Sequence, residues 1–318
     1  MSKRLNPLIG RGIHWANRSD LPALWRERLN LGAGHAPIAP AGGERWLRRW
    51  FGVGAILGLG LYLICGYHAG FLRLNALAAE YPGWIWACLT ALGDERTVFA
   101  LTLFFSLRRP RLFWTLILAA LIAIAAGRGL KELVDADRPP AVLAADTFNL
   151  IGPARERVSF PSGHSVTAAV FCGVLILHTR WIEWRVLLLL IALLVGASRV
   201  AVGVHWPIDV IAGLTLGALA AWVGGRLAAR WPGPATRLGV HLTFVALAVL
   251  AAFSLLFDDG GYAQAALMQR LLGLGALASA VWWYLVAKPE PVSPSGRRYN
   301  PRGASNRPPT PKRVGPDE

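Results

Sequence analysis

Residues 161–209 read PSGHSVTAAVFCGVLILHTRWIEWRVLLLLIALLVGASRVAVGVHWPID, and they decide the fold. Two apolar runs, about 164–177 and 186–202, are joined by the basic turn HTRWIEWR. A helix needs about 20 apolar residues to cross a hydrocarbon core of ~30 Å. Both runs read as membrane spans, the first a short one. At their ends stand Ser162, Gly163 and His164, then Ser198, Arg199, His205 and Asp209. Ionisable groups at membrane depth or at a membrane edge are costly, so they mark function by default.

Outward from this stretch, the chain repeats the pattern. It has 318 residues, 54% hydrophobic and only 16% charged, which argues against an ordinary soluble domain. Apolar runs at about 51–71, 95–107 (short for a span unless it begins near Ala91) and 112–130 precede the central pair, and runs at about 208–223, 238–257 and 265–287 follow it. The expected fold class is all-α: a polytopic transmembrane helical bundle with a six-helix core and two extra C-terminal spans. Residues 72–94, with Pro82, Trp84 and Trp86, read as a helix lying in the outer interface. The expected divisions are a basic cytoplasmic tail over 1–50, a core over 51–228, two additional helices over 229–288, and a disordered basic tail over 289–318. The stretch LPALWRERLN in the first tail is a candidate surface helix. The polar, Arg-rich start shows no cleavable signal peptide, so the first span would be an uncleaved anchor.

A net charge of +15 would point to nucleic acid in a soluble protein. Here no nucleic-acid motif accompanies it, and no nucleic-acid partner is expected. The Lys/Arg excess lies in the tails and in loops 108–111, 178–185 and 224–237. Cytoplasmic retention and anionic lipid headgroups account for that distribution. With those loops inside, residues 131–161 and the ends of the central spans fall on the opposite, extracytoplasmic face. Cys65, Cys88 and Cys172 match no metal knuckle and read as small buried hydrophobes.

Three pieces carry chemistry. KELVDADRP, residues 131–139, supplies Lys131 and Arg138, and Arg199 makes a third cation. Each alone could snorkel to the interface; together, beside two histidines, they read as a phosphate-handling site, since Arg donates in bidentate fashion. In PSGH, Ser162 can cap a helix, Gly163 lets backbone approach a ligand, and helix N-terminal N–H groups favour an anion. His205 and Asp209 are four apart with Pro207 between them. Asp209 could fix the tautomer of His205, or it could be a plain cap beside an interfacial histidine. Two histidines and an aspartate could also hold a metal, but the adjacent cations oppose a divalent ion. No metal or other cofactor is expected.

These pieces together resemble the signature of the type 2 phosphatidic acid phosphatase (PAP2) superfamily, which includes lipid phosphate phosphatases and vanadium haloperoxidases. Lys131, Arg138 and Pro139 match its first motif, Pro161 to His164 its second, and Ser198, Arg199, His205 and Asp209 its third. The resemblance covers about residues 51–228. It implies an integral membrane phosphatase acting on a lipid phosphate or diphosphate: undecaprenyl diphosphate, phosphatidic acid, phosphatidylglycerophosphate or lipid A phosphate. It implies that His205 is a nucleophile forming a phosphohistidine, that Asp209 orients it, and that His164 protonates the leaving oxygen and then activates water. Lys131, Arg138, Ser162, Gly163 and Arg199 would bind the phosphoryl oxygens. A bacterial inner membrane, with the site facing the periplasm or exterior, is the expected location. Two alternatives are a lipid phosphotransferase using the same site and a non-enzymatic lipid transporter.

Overall fold

The computed structural model of the protein describes residues 21–34 and 42–287. By internal contacts the chain divides into Met1–Val286 and Ala287–Glu318. Apart from Ala287, the second unit, which holds the expected disordered tail, lies outside the described residues, as do residues 1–20 of the expected N-terminal tail.

Among the described residues the structure is all-helical. Five helices are long and apolar enough to cross a membrane: α2 (Gly43–Cys65), α6 (Pro110–Val134), α9 (Ile182–Ala201), α10 (Pro207–Arg230) and α12 (Ala266–Val281), the last continued by a π-helical turn at Trp282–Val286. Shorter apolar helices are α4 (Gly83–Leu92), α8 (Gly163–His178) and α11 (Leu238–Ser254). The remainder are α1 (Leu21–Gly34), α3 (Phe71–Ala79), α5 (Glu95–Leu101) and α7 (Pro139–Val142). Large apolar side chains point outward along the spans, for example Ile56 at 73% and Ile64 at 84% exposure on α2, with Leu190 on α9 and Leu250 on α11. So much apolar surface is stable only against lipid, and the chain is an integral membrane protein.

α10 is the hub, packing on α2, α6, α8 and α9. Its fit to α8 depends on Gly213 and Gly217, one turn apart. A Cβ on Gly213 would sit 2.6 Å from the Ser162 carbonyl oxygen, and one on Gly217 would sit 2.5 Å from that of Val166. Small residues at this spacing let helix backbones approach closely. The start of α8 is thereby clamped beside the start of α10, which brings PSGH to HWPID. α11 and α12 pack chiefly on one another and on α5.

Three expectations need correction. The run at 95–107 is not one span. α5 and the 3-10 turn at Thr102–Phe104 together rise only ~15 Å. The apolar path begins earlier, in α4, and breaks at Gly93–Asp94, where the Asp94 side chain accepts from the Arg96 N–H at 2.8 Å and caps α5. Residues 72–94 accordingly form two helices, α3 and α4, parted at Pro82; α4 packs on α9. Second, α2 begins at Gly43, inside the expected tail, and ends at Cys65, before the expected limit of 71. Trp46 and Trp50 lie within the helix. Third, α1 is not a free surface helix: Leu29 and Ala33 are buried, and the Trp25 indole donates to the Tyr284 carbonyl at 2.9 Å.

The two ends of the bundle differ. The start of α2 lies against residues 177–185, and Trp114 donates to the Trp231 carbonyl, so the basic loops gather at one end with α1. The C-terminal ends of α2, α6 and α9 meet the N-terminal ends of α8 and α10 at the other.

Candidate active site

The connection from α6 to α8, residues 135–162, is stitched into the site by backbone bonds. The Arg138 N–H donates to Glu156 O (2.7 Å) and the Ser159 N–H to Ala136 O (2.8 Å). The loop thereby presents Arg138 edge-on to His205. Its Nε donates to Arg157 O at 2.8 Å, one terminal nitrogen to Val158 O at 3.2 Å, and the other to Val204 O at 3.4 Å. That last nitrogen also lies 3.2 Å from His205 Nε2. Arginine cannot accept a hydrogen bond, so Nε2 carries the lone pair and Nδ1 the proton.

Nδ1 faces two oxygens, Asp209 Oδ2 and Ser159 Oγ, each at 3.4 Å. Asp209 is wholly buried and held from three sides: by Ser159 Oγ (2.5 Å), Tyr67 OH (2.5 Å) and the Trp206 N–H (2.9 Å). The carboxylate thus reaches His205 both directly and through Ser159. His205 is 1% exposed. Its burial, with Arg138, Arg199 and Lys131 nearby, pushes its pKa well below the ordinary imidazole value. The ring is therefore neutral at pH 7. Burial and the Asp209 carboxylate push the Tyr67 phenol up, so it stays a donor.

α9 delivers Arg199, 2% exposed, and stops one turn later. Asn75 of α3 ends it by donating to Val200 O at 3.0 Å and Ala201 O at 3.2 Å. Gly203, at φ +82°, then turns the chain where a Cβ would strike Asn149 O at 2.6 Å. This sharp turn sets His205 beside Arg199. One terminal nitrogen of Arg199 donates to Thr90 Oγ1 and to Tyr262 OH, while its Nε is buried with no partner.

Two neighbouring cavities open here. One, of about 300 Å³, is lined by Lys131, Arg138, His164, Arg199 and His205 among others. The second, of about 340 Å³, shares His164, Arg199, Arg155 and Asp94 with the first. The side chains of Lys131, Arg155 and His164 make no hydrogen bond or ion pair with any described residue, and all three residues line the first cavity. Gly163 lines the first cavity with its backbone at the N-terminus of α8, where the first N–H groups lack intrahelical acceptors. Ser162 is placed differently. It is wholly buried, and its hydroxyl caps α8 by accepting from Ser165. It lines neither cavity, so the expectation that it binds phosphoryl oxygens finds no support in its position.

Seven of the eight residues expected at the site thus come together around His205, and Ser162 stands behind them. Reading the sequence missed Tyr67, Ser159, Arg155 and Tyr262. Ser159 lies just before PSGH and Arg155 in a cation-bearing loop, which are faint signals; Tyr67 and Tyr262 had none. Among the described residues no group of three His, Cys, Asp or Glu side chains could hold a metal ion.

Fold and site define a polytopic helical membrane protein with a cationic, histidine-bearing cavity at one end of its bundle. Residues 111–232, the stretch from α6 to α10, match the PAP2 superfamily. The chain is 35% identical over 135 residues to an undecaprenyl-diphosphatase from Sulfolobus acidocaldarius, covering 42% of this chain and 64% of that protein. It is 49% identical over 61 residues to a lipid A 1-phosphatase from Rhizobium johnstonii, covering 19% of this chain and 24% of that one. The chain therefore spans less than two thirds of either relative's length. The crystal structure of Aquifex aeolicus LpxE aligns with 50% of this chain and 94% of its own, at 29% identity and a TM-score of 0.43.

Proposed function

We propose that the protein is a lipid phosphatase, hydrolysing a lipid phosphate or diphosphate through a phosphohistidine on His205. The observation that carries this reading is the neutral His205 with its Nε2 lone pair beside Arg138 and its Nδ1–H toward Asp209 and Ser159. A phosphoryl group entering the cationic cavity would meet Nε2 as nucleophile. Arg138, Arg199, Lys131 and the N–H of Gly163 would take the charge that builds on the phosphoryl oxygens. His164 would give a proton to the leaving oxygen, and the same ring would then draw a proton from water to release phosphate. Asp209 and Ser159 would stabilise the imidazolium character of His205 as the N–P bond forms. The names of the relatives support a lipid substrate, with undecaprenyl diphosphate and lipid A phosphate as leading members of that class. Phosphatidic acid and phosphatidylglycerophosphate fit the same chemistry.

The bundle ends support the orientation: basic loops at one end would stay cytoplasmic, leaving the site at the periplasmic or outer face. We propose divisions to match, with the phosphatase core, expected over 51–228, widened to the bounds of α2 and α10 at Gly43 and Arg230, and the two added helices after it.

The experiment is phosphate release by purified protein from a panel of lipid phosphates, together with acid-labile label on the protein after brief exposure to labelled substrate. His205→Ala should abolish both. His164→Ala should stop turnover of lipid esters yet still form phosphoenzyme from nitrophenyl phosphate, whose leaving group needs no proton. Label captured by His205→Ala but not by His164→Ala would reverse the two roles.

A further inference from the structure

The larger cavity takes part of its lining from the connection between α11 and α12 and from Gln269 of α12, which lie outside the 111–232 match. Tyr262, Asp258 and Gln269 line it and do not line the cavity of His205. His164 and Arg199 line both. If the phosphoryl group lies against His205 and its leaving oxygen at His164, the rest of the headgroup extends into this second space.

The charges of the two cavities differ. Around His205, Lys131, Arg138, Arg155 and Arg199 outnumber Asp94 and Glu95. In the second cavity, Arg96, Arg155 and Arg199 are matched one for one by Asp94, Asp258 and Asp259. Arg96 is already paired, at 3.1 Å to Asp94 and 2.8 Å to Asp258. The formal charges of that lining sum to zero, so a second phosphate would gain less there than beside His205. The space instead offers acceptors. Gln269, in the first turn of α12, is 1% exposed, and its Oε1 is buried without a hydrogen-bond partner. A buried polar atom left unpaired is costly, and a ligand hydroxyl would satisfy it.

We propose that this cavity is a headgroup subsite taking the neutral, hydroxyl-bearing part of a phosphomonoester, a polyol such as a glycerol or sugar unit, with Gln269 accepting from one hydroxyl. The proposal rests on the phosphatase reading and narrows it toward monoesters of polyols and away from diphosphates. Gln269 is a specificity-determining residue, and Asp258 at the cavity mouth supplies a further acceptor.

The test uses two ligands of equal charge that cannot be hydrolysed, 3,4-dihydroxybutylphosphonate and butylphosphonate, titrated calorimetrically into the full-length protein in detergent. The wild type should bind the diol roughly three- to tenfold more tightly, as one or two hydrogen bonds allow. Gln269→Leu, similar in volume, should erase that preference and leave butylphosphonate affinity unchanged. Asp258→Asn, at an exposed position, should reduce the preference and serves should Gln269→Leu not fold. Equal affinities in the wild type, binding of neither ligand, or a preference that survives both variants would overturn the subsite. The phosphatase reading fails separately: the same preparation would release no phosphate from any substrate while the diol preference persisted.

Discussion

Replacing Arg138 with Lys separates fixed geometry from charge. The guanidinium satisfies the carbonyls of Arg157, Val158 and Val204 while aiming a donor at His205 Nε2. A lysine ammonium keeps the positive charge but cannot span this planar arrangement. It would hold one carbonyl and abandon at least two. At about 1.5 kcal/mol for each lost charge-assisted bond, the loop 135–162 would lose about 3 kcal/mol of local stability. Val158 aggravates the loss, because this β-branched residue sits at φ +58° with its carbonyl on Arg138, a conformation costing of order 1–3 kcal/mol. Losing one oriented donor to a developing oxyanion costs roughly 10²–10³-fold in rate. Arg138→Lys should therefore fall by at least about 10²-fold in kcat, with KM changed less. Phosphate release by purified protein gives the rates, and proteolysis of the 135–162 loop reports its loosening. A variant that keeps kcat within about threefold of wild type would refute the role of a fixed fork.

Other outcomes follow from the same geometry. Asp209→Asn should cut turnover by about 10³–10⁴-fold with the fold intact by circular dichroism, and Ser159→Ala by a smaller factor, since Asp209 retains its direct approach to Nδ1. The pKa of His205 is depressed, so the ring stays unprotonated as pH falls through 6.5; the acid limb of kcat/KM should lie clearly below that value, and a limb at or above it would contradict the buried, cation-flanked environment. Activity should survive EDTA and be blocked by vanadate, whereas loss with EDTA and recovery with magnesium would favour metal chemistry. Reporter fusions after Arg109 and Arg230 should be cytoplasmic and one within 140–155 external; an internal 140–155 loop would sink the proposed orientation.

The sequence shows the outline of the site because cations and histidines stand out against apolar spans. Lys131, Arg138, Arg199, His164 and His205 are conspicuous for that reason, and His205 and Asp209 stand four apart in sequence across the start of α10. Ser159 is not conspicuous, since its role comes from loop pairing between residues 136–138 and 156–159, which no periodicity encodes. Ser162 shows where sequence is ambiguous: a capping serine and a phosphate-binding serine look alike, and the structure shows the cap. Tyr67 and Tyr262 each join the site across the bundle, to Asp209 and Arg199. The break at Gly93–Asp94 escaped because hydropathy does not register a side-chain cap.

The grip of Tyr262 on Arg199 has a consequence for biogenesis. α9 must enter the bilayer carrying a guanidinium, and Thr90 precedes it in the chain. Tyr262 follows it by 63 residues. At about 5–20 residues per second that is a delay of roughly 3–12 s. Once Asp209 is made, the nascent bundle holds every motif residue but only part of the support for Arg199. A ribosome stalled between residues 232 and 262 would leave an inserted chain with an incompletely tethered arginine at the membrane edge. Arrival of the α11–α12 hairpin thus marks the maturation of the site, and partial chains should be turned over faster than the finished protein.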